Sequence, residues 1–447
     1  MPHQKAASKS LKHLEQGDAN WATWVMDNGL RCLHIPLPKD DRRFQVTLLV
    51  GTGSRHEPME IAGISHLLEH MMFRGCAKYP SFSDLSEAFE NLGGEWNAAT
   101  GHEYTEFYYN GTTGRVNEVV ELFADFILRP ALSELDTERR IVLRELEGEL
   151  NENGVSTDPD YHIATKIWPN TPMSMPIIGT NETLNHISME QLKSWFKDWY
   201  TPDNAVLCAV GGSPEEIKKI LNAHFGAWQG HCKGKKQKPI HSKFKGPHSF
   251  WVENSDNEYQ IQMSFICEGT GSPKTAAYEL LTRILADGFS SRLTRRIREE
   301  LGLVYDISAD LHQYDGMGLF NITASVLGEN LKPFFAEVFG VFDKLTKEMV
   351  SPDELARHKH RALTDLEITT AEPEALAWRG SWGTLSGTDA KLSPWAKRYE
   401  VTTAEFLQQM AKEVFQSENL CVVALGPNED NIGQEIVKMM SKPLGRC

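Results

Sequence analysis

At 447 residues the chain exceeds what one hydrophobic core usually organises, so two or more domains are expected. With 40% hydrophobic and 24% charged residues and no uncharged apolar run near ~18 residues, it reads as globular rather than membrane-spanning or disordered. The formal net charge of -15 argues against nonspecific nucleic-acid binding, and no nucleic-acid or membrane partner is expected.

The opening MPHQKAASKSLKH is mildly basic, but Glu15 and Asp18 follow it and no apolar segment does. That pattern speaks against a secretory signal and disfavours a mitochondrial presequence. The cysteines Cys32, Cys76, Cys208, Cys232, Cys267, Cys421 and Cys447 are scattered without a CxxC pair, as reduced thiols in a cytosol-like compartment would be. The cytoplasm is the expected location, with the mitochondrial matrix as the alternative.

Residues 24–26 and 30–35 flank Asp27-Asn28-Gly29, and the Asn-Gly pair supplies the positive φ of a hairpin turn. Residues 44–50 (FQVTLLV) read as a strand, 64–73 and 83–92 as helices, and 103–109 (EYTEFYY) as a strand. Helical spacing returns at 116–128 and 137–150. The fold class is α+β. A long-period repeat organises the chain. Residues 189–192, 203–204, 205–210 and Gly211 find counterparts at 404–407, 418–419, 420–425 and Gly426, each 215 residues on. Two homologous mixed α/β domains in tandem, 1–229 and 248–447, are therefore expected. The Lys/Gly/Pro-rich stretch 230–247 between them has the lysine repulsion and helix breakers of a linker.

The sharpest motif is His66-Leu67-Leu68-Glu69-His70. On a helix, positions i, i+3 and i+4 share one face, so both imidazoles and the carboxylate converge while Leu67, Leu68, Met71 and Met72 can turn to the core. This HxxEH order is the inverzincin signature, and a catalytic zinc site needs three protein ligands and one open position. The helix at 137–147 offers Glu138 and Glu145, seven apart on one face, so that one can bind metal and the other orient a ligand histidine. Spacing leaves the choice open, with Glu147 and Glu149 also in play.

Three segments in combination resemble the pitrilysin/insulinase family of metallopeptidases: GISHLLEHMMFRGCAKYP, LGGEWNAATGHEYTEFYY and TERRIVLRELE. The likeness continues through YTPDNAVLCAVGG and into the second half. It implies one zinc per chain held by His66, His70 and Glu145, with Glu69 as general base and Glu138 supporting the site. The segment from Gly288 to Tyr305 is similar to the family's SSRL…RxxxxGxxY stretch, which implies that Arg298 and Tyr305 act on substrate. Asn97, Ala98, Ala99 and Thr100 fall where the family's substrate-pairing edge strand runs. At the 215-residue offset His66, Glu69 and His70 become Leu281, Ile284 and Leu285, so the second domain is expected to lack the metal site. His56 and His102 lie in loop-like sequence and read as solvated, and His358-Lys359-His360 reads as the solvent face of a charged helix.

The expected activity is zinc-dependent endopeptidase hydrolysis of short or unfolded polypeptides. The resemblance further implies half of a clamshell chamber, completed by a second copy in a homodimer. One alternative is the catalytic subunit of a heterodimeric processing peptidase. Another is a noncatalytic scaffold of the same fold, like the family's respiratory-complex core subunits. S-ribosylhomocysteine lyase also uses HxxEH, but it is a far shorter single domain with a catalytic cysteine, which this length and repeat do not fit.

Overall fold

The computed structural model describes residues 2–235 and 237–427, so Cys447 and the end of the expected second domain lie outside the described residues. In the first half, β1 (Ala22–Val25), β2 (Arg31–Ile35), β3 (Arg43–Val50), β4 (Glu95–Thr100), β5 (Thr105–Thr112) and β6 (Ala205–Val210) form a sheet in the order β1-β2-β6-β3-β5-β4. In the second, β7 (His248–Glu253), β8 (Tyr259–Cys267), β9 (Val304–Tyr314), β10 (Met317–Val326) and β11 (Leu420–Gly426) order as β7-β11-β8-β10-β9. β2 pairs with β6 and β7 with β11 in parallel, and every other pairing is antiparallel. Apart from the added hairpin strand β1, the two sheets share one topology. The repeat read from the sequence is a repeat of fold.

The helices are α1 (Pro2–Ala19), α2 (Ile64–Met72), α3 (Phe82–Leu92), α4 (Val116–Leu128), α5 (Leu135–Gly148), α6 (Pro159–Ile167), α7 (Asn181–His186), α8 (Met189–Trp199) and α9 (Pro214–Phe225) in the first half. The second half adds α10 (Thr275–Ala286), α11 (Leu331–Lys347), α12 (Pro352–Thr369), α13 (Pro373–Ser386), α14 (Ser393–Val401) and α15 (Ala404–Val414). Local chemistry fixes their ends in matching ways. The Ser188 hydroxyl accepts from the Gln191 N–H at the start of α8, and Thr403 accepts from Phe406 at the start of α15, 215 residues later. The central strands β6 and β11 are buried throughout, as AVLCAV and LCVVALG require, because helices cover both faces of each sheet.

The halves are not independent of each other. α6, from the first half, lies on β11 of the second sheet, and its repeat counterpart α13 lies on β2, β3 and β6 of the first. α1 packs on α12 and α14, where the Asp18 carboxylate accepts from the N–H groups of Leu392 (3.1 Å) and Ser393 (2.7 Å). Between α9 and β7 the described residues form no regular element, yet the segment is held to the body. The Arg55 guanidinium donates to the Lys238 carbonyl (2.7 Å) and the Ile240 N–H to the Asp315 carbonyl (2.9 Å).

Three sequence expectations need correction. The strand expected at 103–109 begins at Thr105, because Glu103 is drawn into a turn by an ion pair with Arg55 and by the Asp315 N–H (2.9 Å). His358 is only 2% exposed and faces the core of α12 rather than solvent; His360, two residues on, is exposed. His56 and His102 are half-buried and engaged rather than freely solvated. The His56 ring packs on Trp199 at 4.9 Å, and His102 Nδ1 stands 2.7 Å from the Ser54 hydroxyl, where burial pushes its pKa down to about 4. The six described cysteines are free thiols, and no helix among the described residues is long and apolar enough to cross a membrane.

Candidate metal and catalytic site

The HxxEH segment forms α2, and its apolar residues anchor it: Leu67, Leu68, Met71 and Met72 are fully buried. Gly63 begins the helix at φ +92°, and a Cβ there would stand 2.5 Å from the Ile178 carbonyl, so this close approach requires glycine. The first turn is capped from a distance. The buried Glu57 carboxylate accepts from the N–H groups of Gly63 (2.7 Å) and Ser65 (2.8 Å), while burial raises its pKa to about 7. Sequence reasoning missed Glu57, because a cap six residues upstream leaves no Ser/Thr/Asp signal at the helix start.

On the opposite face of α2 the His66 and His70 rings stand 4.7 Å apart. α5 packs against α2 with Val142 and Leu146 inward, which carries Glu138 and Glu145 to the histidines. Glu145 Oε1 lies 3.8 Å from His66 Nε2, and its Oε2 lies 3.6 Å from His70 Nε2. These three residues form the one group of metal-capable side chains found among the described residues, with ligand atoms all within 4.8 Å. Glu138 stands behind, its Oε2 3.2 Å from His70 Nδ1 and its other oxygen paired with Arg74. Glu147 and Glu149, open by spacing, do not join the group.

This donor set fits zinc. Ligand atoms at ~2.0–2.1 Å in a tetrahedron stand roughly 3.4 Å apart. The 3.6 and 3.8 Å gaps lie near that spacing and are too long for hydrogen bonds. Burial, and then the neighbouring His70, push the His66 pKa down to about 3, which keeps its imidazole neutral as a ligand must be. Burial works against charging His70 as well, but the Glu138 hydrogen bond and the surrounding carboxylates raise its pKa overall.

Glu69 is buried between the two histidines, and the Thr100 hydroxyl donates to its Oε2. Burial raises its carboxyl pKa, against the opposing pull of Thr100 and His70. Thr100 ends β4, which among the described residues pairs only with β5 and so forms an edge of the sheet. Ala98, Ala99 and Thr100 line a cavity of about 1220 Å³ together with His66, Glu69, His70 and Glu145; Asn97 lies outside it. The far wall comes from β9 and α13 of the second half.

Arg298 and Tyr305 do not line this cavity. They form a separate surface cluster, with the Arg298 guanidinium 5.4 Å from the Phe289 ring and 5.5 Å from the Tyr305 ring. Tyr305, at the start of edge strand β9, is 81% exposed. Leu281, Ile284 and Leu285 are fully buried in α10, where the second half repeats α2 without its polar face.

Two family models match this architecture in tandem: Insulinase (Peptidase family M16) over residues 37–181 and Peptidase M16 inactive domain over 186–362. The chain belongs to the insulinase family, M16. It is 25% identical over 416 residues to an uncharacterized zinc protease of Bacillus subtilis, covering 91% of this chain and 98% of that one. Against an uncharacterized zinc protease of Rickettsia felis it is 28% identical over 416 residues, covering 90% and 97%. Subunit 1 of the mitochondrial cytochrome b-c1 complex of Caenorhabditis elegans is 28% identical over 290 residues, covering 62% and 60%. Among solved structures, a protease from Helicobacter pylori superposes with a TM-score of 0.83 at 19% identity, covering 91% of this chain and all of that one, and so shares the fold.

Proposed function

We propose that this protein is a zinc-dependent endopeptidase that hydrolyses short or unfolded polypeptides, with one zinc per chain on His66, His70 and Glu145. The observation that carries the reading is the meeting of those three donors beside the buried Glu69 carboxylate, in the wall of a cavity lined also by the edge strand β4. Zinc bound there supplies Lewis acidity, which polarises a carbonyl and makes a water acidic near neutral pH. Glu69 takes the proton from the attacking water and delivers it to the leaving amine. The Thr100 hydroxyl orients that carboxylate. A peptide adding along β4 is read through its backbone, so sequence preference is broad. Arg298 and Tyr305 serve the site of a partner copy, where Tyr305 donates to the developing oxyanion.

A scaffold reading has one observation in its favour, the likeness to a cytochrome b-c1 subunit. The complete donor set and base weigh against it. Digestion of an unstructured peptide library, with and without chelator and alongside zinc analysis, tests the proposal. A purified protein that holds about one zinc and cuts peptides only while it is present supports the peptidase. A metal-free protein inactive even after zinc is added supports the scaffold.

A further inference from the structure

The cavity that holds His66 and Glu69 has a second end of different chemistry. There α13, crossing from the second half onto the first sheet, presents Trp378, Arg379 and Trp382 to the wall. The two indoles, one helical turn apart, lie nearly parallel with centroids 6.0 Å apart, and Tyr104 from the β4–β5 turn meets Trp378 edge-on at 4.7 Å. The Arg379 guanidinium stands over the Trp395 ring at 5.0 Å.

Nε and Nη2 of Arg379 are buried and have no hydrogen-bond partner among the described residues. The carboxylates near it are engaged elsewhere. Asp389 pairs with Arg398, Glu279 accepts from the Tyr399 hydroxyl, and Asp18 accepts from the Leu392 and Ser393 backbone. Burial lowers the Arg379 pKa against the pull of Glu279, Asp18 and Asp389, and the half-buried guanidinium lines the cavity with two of its nitrogens unpartnered. Stacking on an indole offsets part of that loss of hydration, but it satisfies no N–H. The guanidinium is a planar fork that matches a carboxylate with two parallel hydrogen bonds. Glu279 and Asp389 line the cavity beside Arg379 too, each with its own partner in Tyr399 and Arg398, whereas Glu145, Glu149 and Asp158 stand together near the histidines.

We propose that Arg379 anchors a carboxylate subsite in this cavity, which takes a carboxylate of a bound peptide against the Trp378 and Trp382 wall. The group is a C-terminal α-carboxylate or an Asp/Glu side chain, and it fixes which end of the peptide lies away from Glu69. The subsite rests on the reading that peptides occupy the cavity, but it does not depend on their cleavage.

Binding rather than turnover therefore tests it, in full-length protein carrying Glu69→Gln. The probe is an unstructured ten-residue peptide in four forms: free acid or C-terminal amide, each with one Glu or with Gln in its place. The amide with Gln should bind about tenfold more weakly than the best carboxylate-bearing form. The acid with Gln and the amide with Glu tell the two sources apart. Arg379→Gln should abolish the difference, and Arg379→Lys should retain part of it. Equal binding of all four peptides overturns the subsite whether or not Arg379→Gln folds. A preference that survives in a folded Arg379→Gln protein overturns it too. Carboxylate-selective binding by a protein whose wild type cuts nothing would keep the subsite and reject the peptidase, and an active peptidase that binds all four equally would do the reverse.

Discussion

His70 and Glu138 stand 3.2 Å apart, Nδ1 to Oε2, while Nε2 on the other edge of the same ring faces Glu145 Oε2 at 3.6 Å. One imidazole thus lies between two carboxylates seven residues apart on α5, with Arg74 holding the rear one. The arrangement divides their work. On the proposed reading Glu138 would fix the ring with its proton on Nδ1, leaving Nε2 and Glu145 for the metal.

The two glutamates should therefore respond differently to the same change. Glu145→Gln should lose zinc affinity and activity together, because a neutral amide is a poorer oxygen ligand. Glu138→Gln should keep the ligand set and lose affinity on the order of 10–100-fold. Zinc competition against a chelator, run beside a peptide assay, reads both. An empty Glu138→Gln protein beside a loaded Glu145→Gln protein would mean the roles are reversed.

Glu69→Gln should arrive with zinc near that of the wild type and cut nothing. The residue lies between the two histidines on α2, and the isosteric amide keeps its packing and still meets the Thr100 hydroxyl, while it can no longer take a proton. Metal analysis of the purified variant is the check, and a protein lacking zinc would move Glu69 into the ligand set.

Much of this site is written in local sequence, and the parts that are not share one physical reason. The HxxEH face follows from helical periodicity alone, as do the buried Leu67, Leu68, Met71 and Met72. The paired elements α8/α15 and β6/β11 follow from a constant 215-residue offset. Periodicity tells which face of a helix is buried but not against what, so nothing in α6 or α13 announced that each would cover the other half's sheet. Which of Glu138 and Glu145 faces both histidines follows from how α5 packs on α2, and spacing along one helix does not tell that. The flanking Arg357 and Lys359 make His358 read as solvent-facing, although Ala362 and Leu366, one and two turns on, continue its buried stripe.

Glu57 should matter for stability and for its pH dependence. Glu57→Ala leaves the Gly63 and Ser65 N–H groups buried without an acceptor, a loss of roughly 1–3 kcal/mol. Because burial raises the folded-state pKa to about 7, above the ordinary glutamate value near 4.5, the folded protein binds this proton more tightly than the unfolded chain does. That contribution is full below about pH 4.5 and is lost as pH rises through about 7. Denaturant midpoints measured across that range should fall for the wild type and change less for Glu57→Ala. Equal slopes for the two proteins would remove Glu57 as the source.

The separation of Tyr305 from Glu69 makes the last prediction the sharpest. Within one chain, the half-buried Arg298 and the exposed Tyr305 cluster outside the cavity that holds His66, Glu69 and His70. If two copies close face to face with twofold symmetry, each zinc site receives Arg298 and Tyr305 from the other chain. Mixing two inactive variants tests this when they are coexpressed. In a dimer of Glu69→Gln with Tyr305→Phe, one site then inherits both lesions and the other inherits neither. Random pairing makes about half of the dimers mixed, each with one intact site, so roughly a quarter of wild-type activity should return. If Tyr305 served its own chain, every site would carry one lesion and the mixture would stay inactive. Mixed dimers verified by two affinity tags that still cut nothing would exclude the shared site and leave Tyr305 to a surface role.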